Sequence, residues 1–180
     1  DILRYIDAGA VVALISLDIS AAFDTINHAT LLNRLDTEYG VRGDALQWIS
    51  SYLNDRSFFV RVGSSSSAPV SSTTGVPQGS VLGPILFVAY VSPVGRLISS
   101  FNVDYHKYAD DTQVYTALSV PIGASLDRLA ECTAALQHWF WCNDLLLNPD
   151  KSDVAFFGTN QALKKANVPP SIIVAGCSIN

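Results

Sequence analysis

The stretch VVALISLDI, residues 11–19, is apolar at almost every position until Asp18 interrupts it. A continuous apolar run rich in β-branched residues predicts a strand buried on both faces, ending at that aspartate. Further along, the period changes. In GDALQWISSYLNDR, apolar residues fall at Ala45, Trp48, Ile49, Tyr52 and Leu53, spaced as one face of a helix. SLDRLAECTAALQHWFWCND predicts a long amphipathic helix with Leu126, Leu129, Thr133, Leu136 and Phe140 in line. HATLLNRLDTEYG predicts a shorter one, with Leu31, Leu32 and Leu35 on one face and Gly40 as its stop. SFFVRVG, SDVAFFG and SIIVAG predict strands, and FNVDYHKYADDTQVYTAL predicts strand–turn–strand with Asp110 and Asp111 near the turn. GVPQGSVLGPILFVAYVSPVGRLI predicts a tight turn feeding one apolar helix, with Ser80 as N-cap and Pro84 in the first turn. SSSSAPVSSTTG predicts a loop or ragged hairpin, and LNPDK a turn. The tail from Thr159 carries weak signals until SIIVAG. This order predicts an α+β fold, an antiparallel sheet with helices packed on one face.

Composition narrows the class. The chain has 180 residues, 49% of them hydrophobic, enough for one domain with a substantial core. Its 16 acidic and 11 basic residues leave a net charge of −5, which weighs against nucleic-acid binding, since such domains usually carry a basic face. The cysteines, Cys132, Cys142 and Cys177, are odd in number and form no C-x-x-C pair, which argues against a disulfide framework or zinc site and fits a reducing, intracellular compartment, cytoplasm or nucleus. His28, His106 and His138 are scattered and suggest no metal site. No apolar run reaches membrane-spanning length; the best, VLGPILFVAYV, is short and carries Gly83 and Pro84. The chain contains no methionine, so the expectation is a piece of a longer polypeptide.

Asp110 and Asp111 pose the chemical question. Strands are depleted in aspartate, and two neighbouring carboxylates repel. One reading is ordinary solvated turn chemistry. The other pairs the hairpin with the first strand, so that Asp18, Asp110 and Asp111 meet at one sheet edge. Such a cluster does not stay ionised without a cation. Hard oxygen ligands suit Mg²⁺, which keeps water and borrows further ligands from substrate phosphates. Two such ions clamp the attacking and leaving oxygens of a phosphoryl transfer.

LDISAAFDTINH, GVPQGSVLGPILF, YADDTQVY and LLLNPDKSDVAFFG occur in that order. Together they resemble the palm motifs of reverse transcriptases from LINE-type, non-LTR retrotransposons, over nearly the whole chain from Asp1 to Gly158. YADD alone is a weak signal; its combination with an upstream LD…AFD and an intervening PQG block is specific. The resemblance implies RNA-templated DNA synthesis, with two Mg²⁺ ions (or Mn²⁺ in their place) as cofactors. It implies an RNA template, a DNA primer and deoxynucleoside triphosphates as partners, and no membrane.

Residue by residue, Asp18 resembles the first metal-binding aspartate, with the Ile19 carbonyl as a backbone ligand. Asp110 matches the second catalytic aspartate, and Asp111 its less directly coordinating neighbour. Phe23 matches the bulky residue beneath the incoming sugar, where a 2′-hydroxyl would collide; an ordinary core phenylalanine is the competing reading. Gln78 and Gly79 match the loop lining the nucleotide and template pocket, and Ala109 the position near the primer end. Lys151 matches a lysine that neutralises or protonates the leaving pyrophosphate, against a solvated turn lysine. Asp24 reads as structural support, and Asn27 and His28 as support for the next helix start. By the same resemblance residues 1–180 form a partial palm core, with most of the fingers and the thumb missing. That accounts for the acidity, because the family's phosphate-binding basic residues lie largely outside the palm. The isolated chain is then expected to bind nucleic acid poorly at physiological salt. Two other classes compete. A domesticated or decayed copy would serve as a non-catalytic RNA- or protein-binding scaffold, but all three aspartates remain. A nucleotide cyclase shares a palm-like sheet, but lacks the PQG loop and YADD hairpin.

Overall fold

The computed structural model describes residues 1–179. In chain order the elements are α1 (Ile2–Asp7), β1 (Val11–Leu17), β2 (Ile19–Ser20), α2 (His28–Thr37), α3 (Gly43–Leu53), β3 (Arg56–Phe58), β4 (Arg61–Val62), β5 (Ser65–Ser66), β6 (Val70–Ser72), α4 (Gly83–Tyr90), α5 (Pro93–Ser100), β7 (Asp104–Tyr108), β8 (Asp111–Leu118), α6 (Gly123–Trp141), β9 (Leu146–Leu147), β10 (Asp153–Phe157), α7 (Asn160–Ala166), β11 (Ile172–Val174) and β12 (Cys177–Ile179). They fall into two compact units: Asp1–Ser20 with the chain from Ser92 onward, and Ala21–Val91. Among the described residues no single helix is long and apolar enough to cross a membrane.

The first unit is built on a four-stranded antiparallel sheet in the order β10-β1-β8-β7. β1 is interior to the sheet, paired on both sides. Val11, Ala13, Ile15 and Leu17 are buried and stand opposite Leu118, Thr116, Val114 and Thr112 of β8, also buried. The second face of β1 is dry at Val12 but half-buried at Leu14 and Ser16. The long helix α6 packs against β8, β9 and β11 through the predicted stripe, with Leu129, Thr133, Leu136 and Phe140 buried and Leu126 half-buried. Each large apolar side chain taken from water in this way contributes roughly 1.5–3 kcal/mol. Thr133 lies inside that stripe, and its Oγ1 accepts from the Ala175 N–H at 3.1 Å, tying the β11–β12 turn to the helix.

In the second unit α2 packs on α3 and α4. Asn27 caps α2, its Oδ1 accepting from the Thr30 N–H at 3.0 Å. Arg34 is buried beside Leu31 and Leu35; its guanidinium donates to the Tyr90 carbonyl and lies 4.7 Å from the Tyr90 ring centre. The N-cap of α4 is Leu82 rather than the expected Ser80, with no side-chain cap; Ser80 Oγ accepts from the Gly83 N–H at 3.0 Å in the turn that leads into the helix, and Pro84 stands in the first turn as expected.

The elements depart from expectation in four places. The single apolar helix after the PQG turn is two, α4 and α5, because Pro93 removes a backbone donor where the helix would continue. SFFVRVG splits into β3 and β4, which pair with β6 and β5 as the ragged hairpin. Of the α3 stripe only Leu53 is buried. The quiet tail contains α7, capped by Thr159 Oγ1 accepting from the Ala162 N–H at 3.2 Å and ended by Asn167 in the left-handed conformation at φ 48°.

Candidate active site

The last paired residues of β1 and β8 are Leu17 and Thr112. Extending that register by one step sets Asp18 opposite Asp111. The β7–β8 hairpin closes with Tyr108 opposite Asp111, leaving Ala109 and Asp110 as a two-residue loop. Its first position needs a positive φ, the reason glycine is common there. Here Ala109 takes it at φ 52°, a conformation that costs a side-chain-bearing residue roughly 1–2 kcal/mol. Asp18 and Asp110 are half-buried and Asp111 is exposed. The register thus places Asp18 and the loop of Asp110 and Asp111 at the same end of the sheet.

A second contact fixes the Asp18 backbone. The chain leaves β1 at Asp18, and Ile19–Ser20 pair with Leu146–Leu147. The Asp18 carbonyl accepts from the Asn148 N–H at 2.9 Å. The Asn148 carbonyl in turn accepts from the Lys151 N–H at 3.2 Å and from Ser152 Oγ at 2.9 Å. The turn carrying Lys151 is therefore two hydrogen bonds from Asp18, while the Lys151 side chain stays exposed. Asn148 is a positioning residue that pattern reading passed over; its position before a proline in LNPDK is the available signal. On β7, burial pulls Lys107 down to about 8.

The remaining candidates lie in the second unit. Phe23 is half-buried, its ring 5.1 Å from that of Phe87 on α4. Its carbonyl accepts from the Val76 N–H at 2.7 Å, and the Gly75 N–H bonds the Ile26 carbonyl at 2.8 Å. His28 Nε2 donates to the Gly75 carbonyl at 2.7 Å. These bonds clamp the loop before PQG onto the AFD turn. Asp24 joins the clamp through its carbonyl, which accepts from Thr74 Oγ1 at 3.0 Å. Its carboxylate faces Gln78 Nε2 at 3.4 Å, a long contact. Gln78 and Gly79 are exposed, and Gly79 turns the chain at φ 76° with open space where a Cβ would stand.

Among the described residues no three His, Cys, Asp or Glu groups converge into a cluster that would hold a metal by protein ligands alone. The edge instead offers Asp18 and the hairpin carboxylates as an open donor set. That suits Mg²⁺, which is usually held by one or two carboxylates together with water and substrate phosphates. Hard oxygen donors of this kind suit a hard divalent cation rather than a softer one.

The model of the family described as reverse transcriptase (RNA-dependent DNA polymerase) matches residues 6–168. The chain is 34% identical over 140 residues to the RNA-directed DNA polymerase from mobile element jockey of Drosophila melanogaster, covering 75% of this chain and 15% of that protein. It is 37% identical over 165 residues to the probable RNA-directed DNA polymerase from transposon X-element of the same fly, covering 87% of this chain and 17% of that protein. The chain thus spans about a sixth of the length of the curated relatives it matches. In fold it is similar to the apo telomerase of Candida tropicalis, with a TM-score of 0.65 at 13% identity over 99% of this chain and 36% of that one.

Proposed function

The chain belongs to the reverse transcriptase family, as a domain related to the polymerases of non-LTR retrotransposons, and on that footing we propose that it carries the nucleotidyl-transfer centre of such an enzyme. The reading rests on one observation: the β1–β8 register carries Asp18 to the hairpin that holds Asp110 and Asp111. The reaction is RNA-templated DNA synthesis, in which a primer 3′-oxygen attacks the α-phosphate of a deoxynucleoside triphosphate and pyrophosphate leaves. When bound, two Mg²⁺ ions would offset the charge that builds on the attacking and leaving oxygens. Asp18 and Asp110 are the side chains to hold them, with the Ile19 carbonyl as backbone donor and Asp111 in support. The strained hairpin loop keeps the Asp110 carboxylate at a defined position, so less ordering is needed when substrate arrives. The hydrogen bonds from Asp18 through Asn148 keep the Lys151 turn in register with the aspartates, and Lys151 neutralises the leaving pyrophosphate. Phe23, backed by Phe87, packs beneath the sugar and disfavours a 2′-hydroxyl. Gln78 and Gly79 line the nucleotide pocket, and Ala109 approaches the primer end. Template and duplex grip come from the rest of the polymerase.

In the polymerase that carries this domain, Asp110→Asn is expected to lower Mg²⁺-dependent primer extension by at least ~100-fold. The thermal melt of the 180-residue chain should be unchanged by the same substitution. Extension at the wild-type rate would remove Asp110 from the metal site.

A further inference from the structure

We propose that Cys142 and His138, at the C-terminal end of α6, form a reactive thiol site that takes flat, apolar α,β-unsaturated carbonyl compounds as covalent ligands. This site is independent of the polymerase reading. α6 ends at Trp141, so His138 and Cys142 stand one helical turn apart at positions i and i+4, on one face. Cys142 Sγ and His138 Nε2 lie 3.6 Å apart, within the longer hydrogen-bond reach of sulfur. Both side chains are exposed. The thiolate, not the thiol, is the nucleophile, and an imidazole bonded to the thiol is the base that generates it. The other two cysteines lack this pairing. Cys132 is fully buried on α6, and burial pushes its thiol up to about 11. Cys177 is exposed on β12, with no side chain bonded to its thiol among the described residues.

A cavity beside the pair selects the ligand. It measures about 350 Å³ and is lined by His138 itself with Gln137, Trp141, Leu145, Leu146 and Leu147. That volume is near the low end of the roughly 300–1,000 Å³ common to small-ligand sites, and so suits a compact ring. Trp141 is 69% exposed and Leu146 52%, which leaves apolar surface open to an incoming molecule. An indole and three leucines favour a flat, apolar body. The Gln137 amide and the His138 imidazole are the polar groups of the lining, and both can donate to a carbonyl oxygen. Among the described residues no carboxylate lines the cavity. Addition suits such a place better than disulfide exchange or acyl transfer, because no charged group has to leave through apolar walls. The Cys142 proton passes to His138 Nε2. The sulfur lone pair forms a C–S bond to the β-carbon, and the C=C π pair moves onto the carbonyl oxygen as an enolate. The imidazolium then returns its proton to the α-carbon. No group leaves, and no external oxidant or reductant takes part.

The test uses the 180-residue chain, reduced and then freed of excess thiol, at pH ~7. Limiting N-phenylmaleimide, N-ethylmaleimide and iodoacetamide are added separately, and peptide mass spectrometry reads the labelling of Cys142 relative to Cys177. Dividing by Cys177 removes each reagent's intrinsic reactivity. With N-phenylmaleimide the ratio should exceed about 10, and with N-ethylmaleimide it should be about threefold lower, since the ethyl group fills less of the cavity. His138→Gln should reduce the ratio about tenfold with all three reagents, because it removes the base. Trp141→Ala should bring the two maleimide ratios together and leave the iodoacetamide ratio in place, a split that a loss of structure would not produce. Both variants alter exposed side chains, and an unchanged far-UV circular dichroism spectrum confirms the fold. Equal labelling of Cys142 and Cys177, or a His138→Gln variant labelled like wild type, would overturn the proposal. Equal maleimide ratios in the wild-type chain would overturn the role of the cavity and with it the class of ligand.

Discussion

At the residue scale the sharpest constraint is Gly75. It sits at φ +84°, and a Cβ built there would lie 2.7 Å from the Asp24 carbonyl oxygen and 2.8 Å from that of Phe23. Both neighbours are backbone atoms, so nothing yields at low cost. The close approach exists because the Gly75 and Val76 N–H groups bond the Ile26 and Phe23 carbonyls across it. Gly75→Ala should therefore destabilise the chain by about 3 kcal/mol, combining left-handed strain with overpacking. Urea unfolding followed by circular dichroism measures this directly, and a loss under ~1 kcal/mol would contradict the close contact. Ala109 is the opposite case. It accepts a strained φ beside Asp110 where glycine would relieve it, the kind of local cost that accompanies functional turns.

Among elements, α6 shows how a polar residue earns a place in an apolar stripe. Thr133 is fully buried, yet its Oγ1 donates to the Ala130 carbonyl and accepts from the Ala175 N–H. Thr133→Val keeps the shape and strands the Ala175 donor. The expected loss is about 1–3 kcal/mol in urea unfolding, and Thr133→Ser should recover most of it. A valine variant as stable as wild type would mean that the β11–β12 turn is not held by this bond. α3 teaches the converse. Its periodicity is that of a buried face, and the helix forms as expected, yet only Leu53 is buried, with Ile49 and Tyr52 half-buried and Ala45 and Trp48 exposed. Period reports which side chains can line up, not which surface will cover them.

For the whole molecule, stability above pH ~8 should depend on pH through Lys107, Cys132, Tyr5 and Tyr115. Burial sets Lys107 at about 8 against its ordinary 10.5. Between those values the unfolded chain holds a proton that the folded chain has released, so stability rises with pH across that window. Cys132, Tyr5 and Tyr115 move the other way: burial pushes the Cys132 thiol from 9.0 up to about 11, so its contribution is lost between those values. The hydrogen bond to Asp104 raises Tyr5 above its ordinary 10.0, and burial raises Tyr115. Their contribution is present below 10.0 and is lost as pH climbs through their folded values. The urea midpoint in EDTA should therefore climb from pH ~8 to ~9, level off where the Cys132 loss offsets the Lys107 gain, and fall above pH ~10. Lys107→Met should flatten the climb and leave the fall. A flat wild-type profile between pH ~8 and ~9 would show that Lys107 is not desolvated.

Much of this protein was settled by sequence alone. The unbroken apolar run of β1, the hairpin around Asp110 and Asp111, the α6 stripe and the cap at Asn27 follow from local chemistry. The side-chain period and the donors of the first turn are properties of neighbouring residues. The ordered blocks around Asp18, Gln78 and Asp110 carried the family for the same reason. Tertiary structure decided the rest. Only the register of β1 against β8 sets Asp18 opposite Asp111, and only folding brings the Asn148 N–H to the Asp18 carbonyl. The clamp of Gly75 on Ile26 and the exposure of Trp48 are likewise invisible along the chain. Backbone hydrogen bonds between distant segments leave no side-chain signature, and a hydrophobic period does not say whether any surface will arrive to meet it.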